Sequence, residues 1–233
     1  MPAITRATAT FSISRTLTEP LGLFGGTFDP VHFGHLRLAE EAIGELGLGG
    51  VRWIPAGQPP HRGRPQVTGQ QRLEMVLRST AKNARFSVDA SEVEVAAPSY
   101  TVHTLERLRE ELGADRPLVL LVGADAFVGL MTWHRWRDLF ELAHIAVSQR
   151  PGFPVEAGSL PSELAAEFAA RRLSAANGLQ KVPAGGIATF TMTQLDISAT
   201  RLRALLAAGK SVRYLLPDSV LDYINLYQLY QNP

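Results

Sequence analysis

The stretch Gly25-Gly26-Thr27-Phe28-Asp29-Pro30-Val31-His32-Phe33-Gly34-His35 lies between two different hydrophobic rhythms. Before it, Leu21 to Phe24 is a short apolar run of the kind that forms a buried strand. After it, Leu36, Ala39, Ile43 and Leu46 recur at spacings of three and four, which is one face of a helix. A strand that ends in two glycines and opens directly into a helix sets the pattern for the rest of the chain. Val51 to Pro55, Phe86 to Val88, Leu118 to Val122, His144 to Val147 and Ile187 to Thr191 are further apolar runs bounded by turn residues, and each reads as a buried strand. Between them lie helical segments such as Thr101 to Leu112, with Val102, Leu105 and Leu108 on one face.

Strand and helix alternate, and parallel strands joined through helices take right-handed crossovers. The pattern predicts a Rossmann-like α/β fold, a doubly wound parallel sheet with helices on both faces and ligands at the carboxyl ends of its strands. A chain of 233 residues fits one large domain better than two small ones. The expected division is a frayed, polar N-terminal extension over residues 1–18 and a single domain over 19–233. Within that domain the Gly-, Pro- and Ala-rich stretch 151–183 is expected to be a mobile insertion with one helix near Ser162 to Leu173. A small helical part is expected from residue 198.

The 23 basic and 22 acidic side chains leave a formal charge of +1, so no broad basic field gathers nucleic acid or an acidic membrane. Phosphate recognition must then be local. The absence of cysteine excludes disulfides, thiolate nucleophiles and iron–sulfur or zinc–thiolate centres, and suits a cytoplasmic protein. No run of about 18 apolar residues is present, so no membrane-spanning helix is expected.

Glycine lacks the Cβ that would hold a phosphate away from the backbone, so Gly25, Gly26 and Gly34 permit close approach. His35 falls in the first turn of the helix, where unpaired N–H groups and the positive end of the dipole favour an anion. His32 adds a second imidazole three residues away. Spacing alone also fits a satisfied loop pair or half of a metal site, but a third metal ligand is lacking and the glycines favour phosphate. Ala208-Gly209-Lys210-Ser211 looks like the end of a P-loop. Ala204 stands where its first glycine would be, however, and the segment closes a helix instead of opening one. His103, His134 and His144 read as structural.

The Gly25–His35 stretch resembles the first signature of the nucleotidyltransferase superfamily, in the form found in nicotinate mononucleotide adenylyltransferases. Other segments are similar to that family in the same order, from about Leu21 to Tyr230. They are Gln58-Pro59-Pro60-His61-Arg62, Ser99-Tyr100-Thr101, Gly123-Ala124-Asp125, the stretch with Trp133 and Trp136, and the closing Leu215-Leu216-Pro217 and Tyr223-Ile224. Ile197-Ser198-Ala199-Thr200-Arg201-Leu202-Arg203 resembles the second signature, with Ala199 in place of its second serine. Ser198, Thr200 and Arg203 keep the hydroxyl and guanidinium donors that a polyphosphate needs.

The resemblance implies adenylyl transfer from ATP to nicotinate mononucleotide in NAD synthesis, giving nicotinate adenine dinucleotide and pyrophosphate. It implies His35 at the α-phosphate, His32 at neighbouring phosphates, and Ser198 with Arg203 at the β/γ end, so that His35, His32 and Arg203 form the catalytic group. Gly25, Gly26, Thr27, Gly123, Ile197 and Thr200 would complete the ATP site, with Asp125 on ribose hydroxyls. Phe28, Tyr100, Thr101 and Trp133 would line the nicotinate mononucleotide pocket. Mg²⁺ is expected on phosphate oxygens and water, with no protein metal site. Two other readings stand beside this one. One is a relative that uses nicotinamide mononucleotide or another phosphate acceptor, and the other is a catalytically idle nucleotide-binding protein on the same fold. A class I aminoacyl-tRNA synthetase, which also places a histidine pair at a helix start, lacks here its Lys-Met-Ser-Lys-Ser segment.

Overall fold

The computed structural model describes residues 19–59, 65–152 and 154–231. Six strands, β1 (Leu21–Gly26), β2 (Gly50–Pro55), β3 (Phe86–Val88), β4 (Leu118–Gly123), β5 (His144–Gln149) and β6 (Ile187–Thr191), fall on the six apolar runs. They form one sheet in the order β3-β2-β1-β4-β5-β6, and every pairing is parallel. The fold is Rossmann-like, as the alternation predicts. Central strands are buried on both faces, which is why they are continuous apolar runs and not alternating ones.

The helices are α1 (Phe33–Leu46), α2 (Gly69–Thr80), α3 (Ser91–Glu94), α4 (Thr101–Leu112), α5 (Ala124–Val128), α6 (Leu139–Leu142), α7 (Ser162–Arg171), α8 (Ala199–Ala207) and α9 (Asp218–Leu226). Two separate apolar cores cover the sheet. One joins Ile43 and Leu46 of α1, Met75 and Val76 of α2, and Val220 and Ile224 of α9 to Phe24 and Trp53. The other joins Leu105 and Leu108 of α4, Leu139 of α6 and Phe168 of α7 to Leu23, Leu120 and Ile145. Local signals set the helix ends. Gly47, at φ 62°, stops α1 in a left-handed turn, and Thr68 and Gln71 form a reciprocal cap on α2 at 3.2 and 2.9 Å.

Between Pro151 and Pro183 the described residues hold α7 and two short 3₁₀ turns. Leu164, Phe168 and Leu179 from this stretch are no more than 1% exposed, so apolar burial ties it to the sheet. His144 is fully buried, with Nδ1 accepting from the Gly186 N–H at 2.9 Å and Nε2 donating to the Val182 carbonyl at 2.8 Å. Burial lowers its pKa, so it is a neutral structural link between β5 and the segment leading into β6. Gly209, at φ 66°, follows the end of α8 as a helix-stop glycine, in keeping with rejection of the P-loop reading.

Replacing Phe168 with Ala should cost roughly 3–5 kcal/mol of stability, because it empties a fully packed ring site. Urea unfolding of the purified variant checks this. A loss below about 1 kcal/mol would show that the 151–183 stretch is only loosely attached.

Candidate functional site

The strand order changes direction where β1 meets β4, and the turns leaving these two strands diverge into helices on opposite faces. Such a point, at the carboxyl edge of the sheet, is where open α/β folds form the crevice that binds ligands. The turn Gly25–His32 forms one lip. Gly123 and Asp125 form the other, with Asp125 exposed in the first turn of α5.

The two glycines that end β1 have different reasons to be glycine. A Cβ on Gly25 would meet nothing within 4 Å and would project into open space, so its absence clears room for a ligand. A Cβ on Gly26 would lie 2.8 Å from the Phe28 ring. Phe28 is 2% exposed and lies against Phe24 and Trp53, at centroid distances of 5.5 and 5.3 Å, with a left-handed backbone at φ 49°. Its ring is core, and it supports His35 edge-on at 5.1 Å.

His32 is the N-cap of α1, and His35 stands in the first turn. Their rings stack at 3.7 Å, and the His32 N–H donates to His35 Nδ1 at 3.3 Å. In the neutral ring the proton of His35 is then on Nε2. His32 is 6% exposed, its Nδ1 is buried with no partner among the described residues, and burial pushes its pKa down to about 4. At neutral pH it is an uncharged imidazole with an unmet polar atom at the crevice. A Cβ on Gly34 would press on that ring at 3.0 Å, so glycine is needed for the ring as well as for any phosphate.

The second signature comes from α8, far along the chain, to the same place. The Ile197 carbonyl lies 3.7 Å from where a Gly34 Cβ would be. Ser198 is the N-cap of α8, its Oγ accepting from the Arg201 N–H at 3.2 Å. Arg203 donates from Nη1 to the Asp29 carbonyl at 2.7 Å and from Nη2 to Thr200 Oγ1 at 3.4 Å, and its buried Nε has no partner among the described residues.

Residues that sequence reading did not single out hold this turn. Arg72 of α2 is 1% exposed and donates to the carbonyls of Thr27 at 2.8 Å, Ala56 at 2.5 Å and Gly57 at 2.9 Å. Asp29 is 5% exposed, accepting from Tyr230 Oη at Oδ1 (2.7 Å) and from the Gln66 N–H at Oδ2 (2.9 Å). An arginine within the apolar stripe of α2 was the available signal, since a buried charge there demands partners.

The segment expected to bind the acceptor starts from the same turn. Ser99 Oγ accepts from the Gly57 and Gln58 N–H groups at 2.9 and 3.2 Å, next to the carbonyl held by Arg72. Tyr100 is the N-cap of α4, so Thr101 begins a twelve-residue helix with unpaired N–H groups at its start. The Tyr100 ring lies 4.6 Å from His134 and 5.7 Å from His103, and Trp133, next to His134 in sequence, is half-buried. Trp136 is buried beneath the Arg137 guanidinium at 4.3 Å and is packing. Pro60, His61 and Arg62 lie outside the described residues.

A glycine turn, a histidine pair at a helix start and an arginine from a distant helix, converging on one edge of a parallel sheet, define a nucleotidyltransferase. The cytidylyltransferase-like family model matches residues 23–205. A curated protein of Dechloromonas aromatica (strain RCB) is 74% identical over 93% of this chain and 100% of its own length. One of Pseudomonas aeruginosa (strain UCBPP-PA14) is 49% identical over 91% and 98%. Both carry the name "Probable nicotinate-nucleotide adenylyltransferase". The chain belongs to the nicotinate-nucleotide adenylyltransferase family. Its fold is also that of the Plasmodium falciparum nicotinic acid mononucleotide adenylyltransferase complexed with NaAD. The TM-score there is 0.65 at 14% identity, over 91% of this chain and 97% of the other. The same Plasmodium enzyme complexed with APC gives 0.64. No helix among the described residues is long and apolar enough to cross a membrane.

The depressed His32 pKa has a measurable consequence. An unfolded histidine takes up its proton near the ordinary 6.5, whereas the folded one waits until about 4. Stability is therefore complete above 6.5 and falls as pH drops through this window. Between pH 7 and pH 5, the urea stability of wild type should fall by about 2 kcal/mol more than that of His32→Gln. Parallel curves for the two proteins would place His32 in water.

Proposed function

We propose that this chain carries out adenylyl transfer through the crevice between β1 and β4, with His35, His32 and Arg203 on ATP and the Tyr100–Trp133 side on nicotinate mononucleotide. The mononucleotide's phosphate oxygen forms a bond to the α-phosphorus of ATP, and the bond from that phosphorus to the bridging oxygen breaks. Nicotinate adenine dinucleotide forms and pyrophosphate leaves. The second pKa of a phosphate monoester is about 6, so the nucleophile is already ionised at neutral pH and needs no strong base. What remains for the protein is alignment and stabilisation of charge.

The observation that carries the reading is the convergence of the two signatures, through the 2.7 Å bond from Arg203 to the Asp29 carbonyl and the contact of Ile197 with Gly34. His35 Nε2–H serves the α-phosphate oxygen that gains charge, and neutral His32 serves a neighbouring phosphate. Gly25 to Thr27 contribute a close-lying backbone. Arg203 and the Ser198 hydroxyl take the β/γ end, and Gly123, Ile197 and Thr200 complete the cleft. Asp125 would repel phosphate and suits ribose hydroxyls. Nucleotidyltransferases of this kind typically use a divalent metal. Among the described residues no group of three or more His, Asp or Glu side chains comes together to hold one. Mg²⁺ would be carried by phosphate oxygens and water, where the ion would neutralise charge on the departing pyrophosphate.

Replacing His35 with Ala should lower kcat by roughly 10²- to 10³-fold in a folded protein, the usual loss when one preorganised donor to a transition-state oxygen is removed. Circular dichroism and pyrophosphate release, measured on the same sample, decide it. Near-normal turnover would remove His35 from the chemistry.

The acceptor assignment is tested by comparing nicotinate with nicotinamide mononucleotide at fixed ATP and Mg²⁺. The two have nearly the same shape, but the acid offers only acceptors where the amide carries two N–H donors. N–H groups at the start of α4 near Thr101 would meet the acid with charge-assisted bonds and face the amide donor to donor. Stacking on Trp133 would favour both rings alike. Losing one such bond costs roughly 1.5–3 kcal/mol, so kcat/KM should favour the acid at least about tenfold. Parity, or preference for the amide, would refute the acceptor while leaving adenylyl transfer in place.

A further inference from the structure

Asp29 is a buried carboxylate with two arginines near it, yet it is paired closely with neither. Its Oδ1 is filled by the Tyr230 hydroxyl at 2.7 Å and its Oδ2 by the Gln66 N–H at 2.9 Å. The Arg72 guanidinium is already committed to three carbonyls. Arg203 is the other cation at hand. Its Nη1 lies 4.0 Å from Asp29 Oδ2, too long for a hydrogen bond, while it donates to the Asp29 backbone carbonyl at 2.7 Å.

Tyr230 is held firmly where it is. It is 8% exposed, and its backbone is left-handed at φ 63°, a conformation that a non-glycine residue keeps only where its surroundings over-determine it. Burial and the adjacent carboxylate push its hydroxyl well above the ordinary tyrosine value, so it stays protonated and donates. Beside it, a cavity of about 450 Å³ is lined by Gln66, Thr200, Arg203, Ala204, Tyr230 and Gln231, which gives the arginine head room to move.

A buried carboxylate that loses a donor takes the nearest cation, because a bidentate arginine pair is the strongest replacement available. We propose that Tyr230 is a positioning residue. By occupying Asp29 Oδ1 it keeps this carboxylate from closing on Arg203, and so leaves the guanidinium turned toward the triphosphate. The C-terminal tail thereby sets the ATP site, although it supplies no group to the reaction. The inference rests on the reading of Arg203 as a ligand of the β/γ-phosphates.

The experiment compares wild type, Arg203→Ala, Tyr230→Phe and the double variant Tyr230→Phe with Asp29→Asn, as full chains normalised to folded protein. Phenylalanine keeps the ring in its pocket and removes only the hydroxyl. Tyr230→Phe should raise KM for ATP about tenfold, with kcat within about threefold and KM for the mononucleotide within about twofold. Adding Asp29→Asn should bring KM for ATP back to within about threefold of wild type, since an amide has no charge with which to hold the guanidinium. A tail that only supports folding would lower thermal stability without moving KM, and would lose further stability, not recover, with Asn at position 29. Either result overturns the proposal. Arg203→Ala separates the two levels of inference. If it leaves KM for ATP unchanged, the phosphate reading of Arg203 fails. If it raises KM while Tyr230→Phe does not, the role of the tail alone fails.

Discussion

An irregular turn at the edge of a parallel sheet exposes peptide groups that no ladder can pair, and once buried these groups must find partners. The turn from Thr27 to Asp29 meets this requirement with arginine. Arg72 takes the Thr27 carbonyl together with two carbonyls beyond β2, and Arg203 takes the Asp29 carbonyl. A guanidinium suits the task because it offers five donors in a rigid fork. The choice has an electrostatic result too. Two fixed positive charges lie along the turn, in a chain whose net charge is only +1.

The sheet order does the rest of the assembly. Because β1 is central and pairs with both β2 and β4, the turns after these strands share one edge. The Ser99 hydroxyl binds the peptide groups after β2, and α4 starts directly beyond it. The glycine turn and the start of α4 are thus joined through a few residues around Gly57. Two histidines at a helix start gain distinct characters from this packing. His35 is oriented by the His32 N–H and the Phe28 edge, and His32 is kept neutral by burial.

Much of this was legible in the chain. The six strands could be read because both faces of each are covered, which makes them unbroken apolar runs. The glycines and histidines of the first signature and the residues of the second were legible as motifs, and the structure brings the two together. Arg72, Asp29 and Tyr230 were not legible as site residues. Arg72 sits in α2 among Leu73, Met75 and Val76, and its importance comes from carbonyls up to 45 residues away. Phe28 belongs to the same signature as His35, but sequence cannot show that its ring turns inward.

By itself, then, the order of residues determined the elements, their alternation and the chemical types gathered at the strand ends, since hydrophobic period and glycine placement are local properties. Only the tertiary structure decided which groups meet. The Arg203–Asp29 bond spans 174 residues and the Tyr230–Asp29 bond spans 201. Contacts of that range follow from how helices dock on a twisted sheet, where burial limits a polar group to the partners that packing brings near it and no local pattern names them in advance.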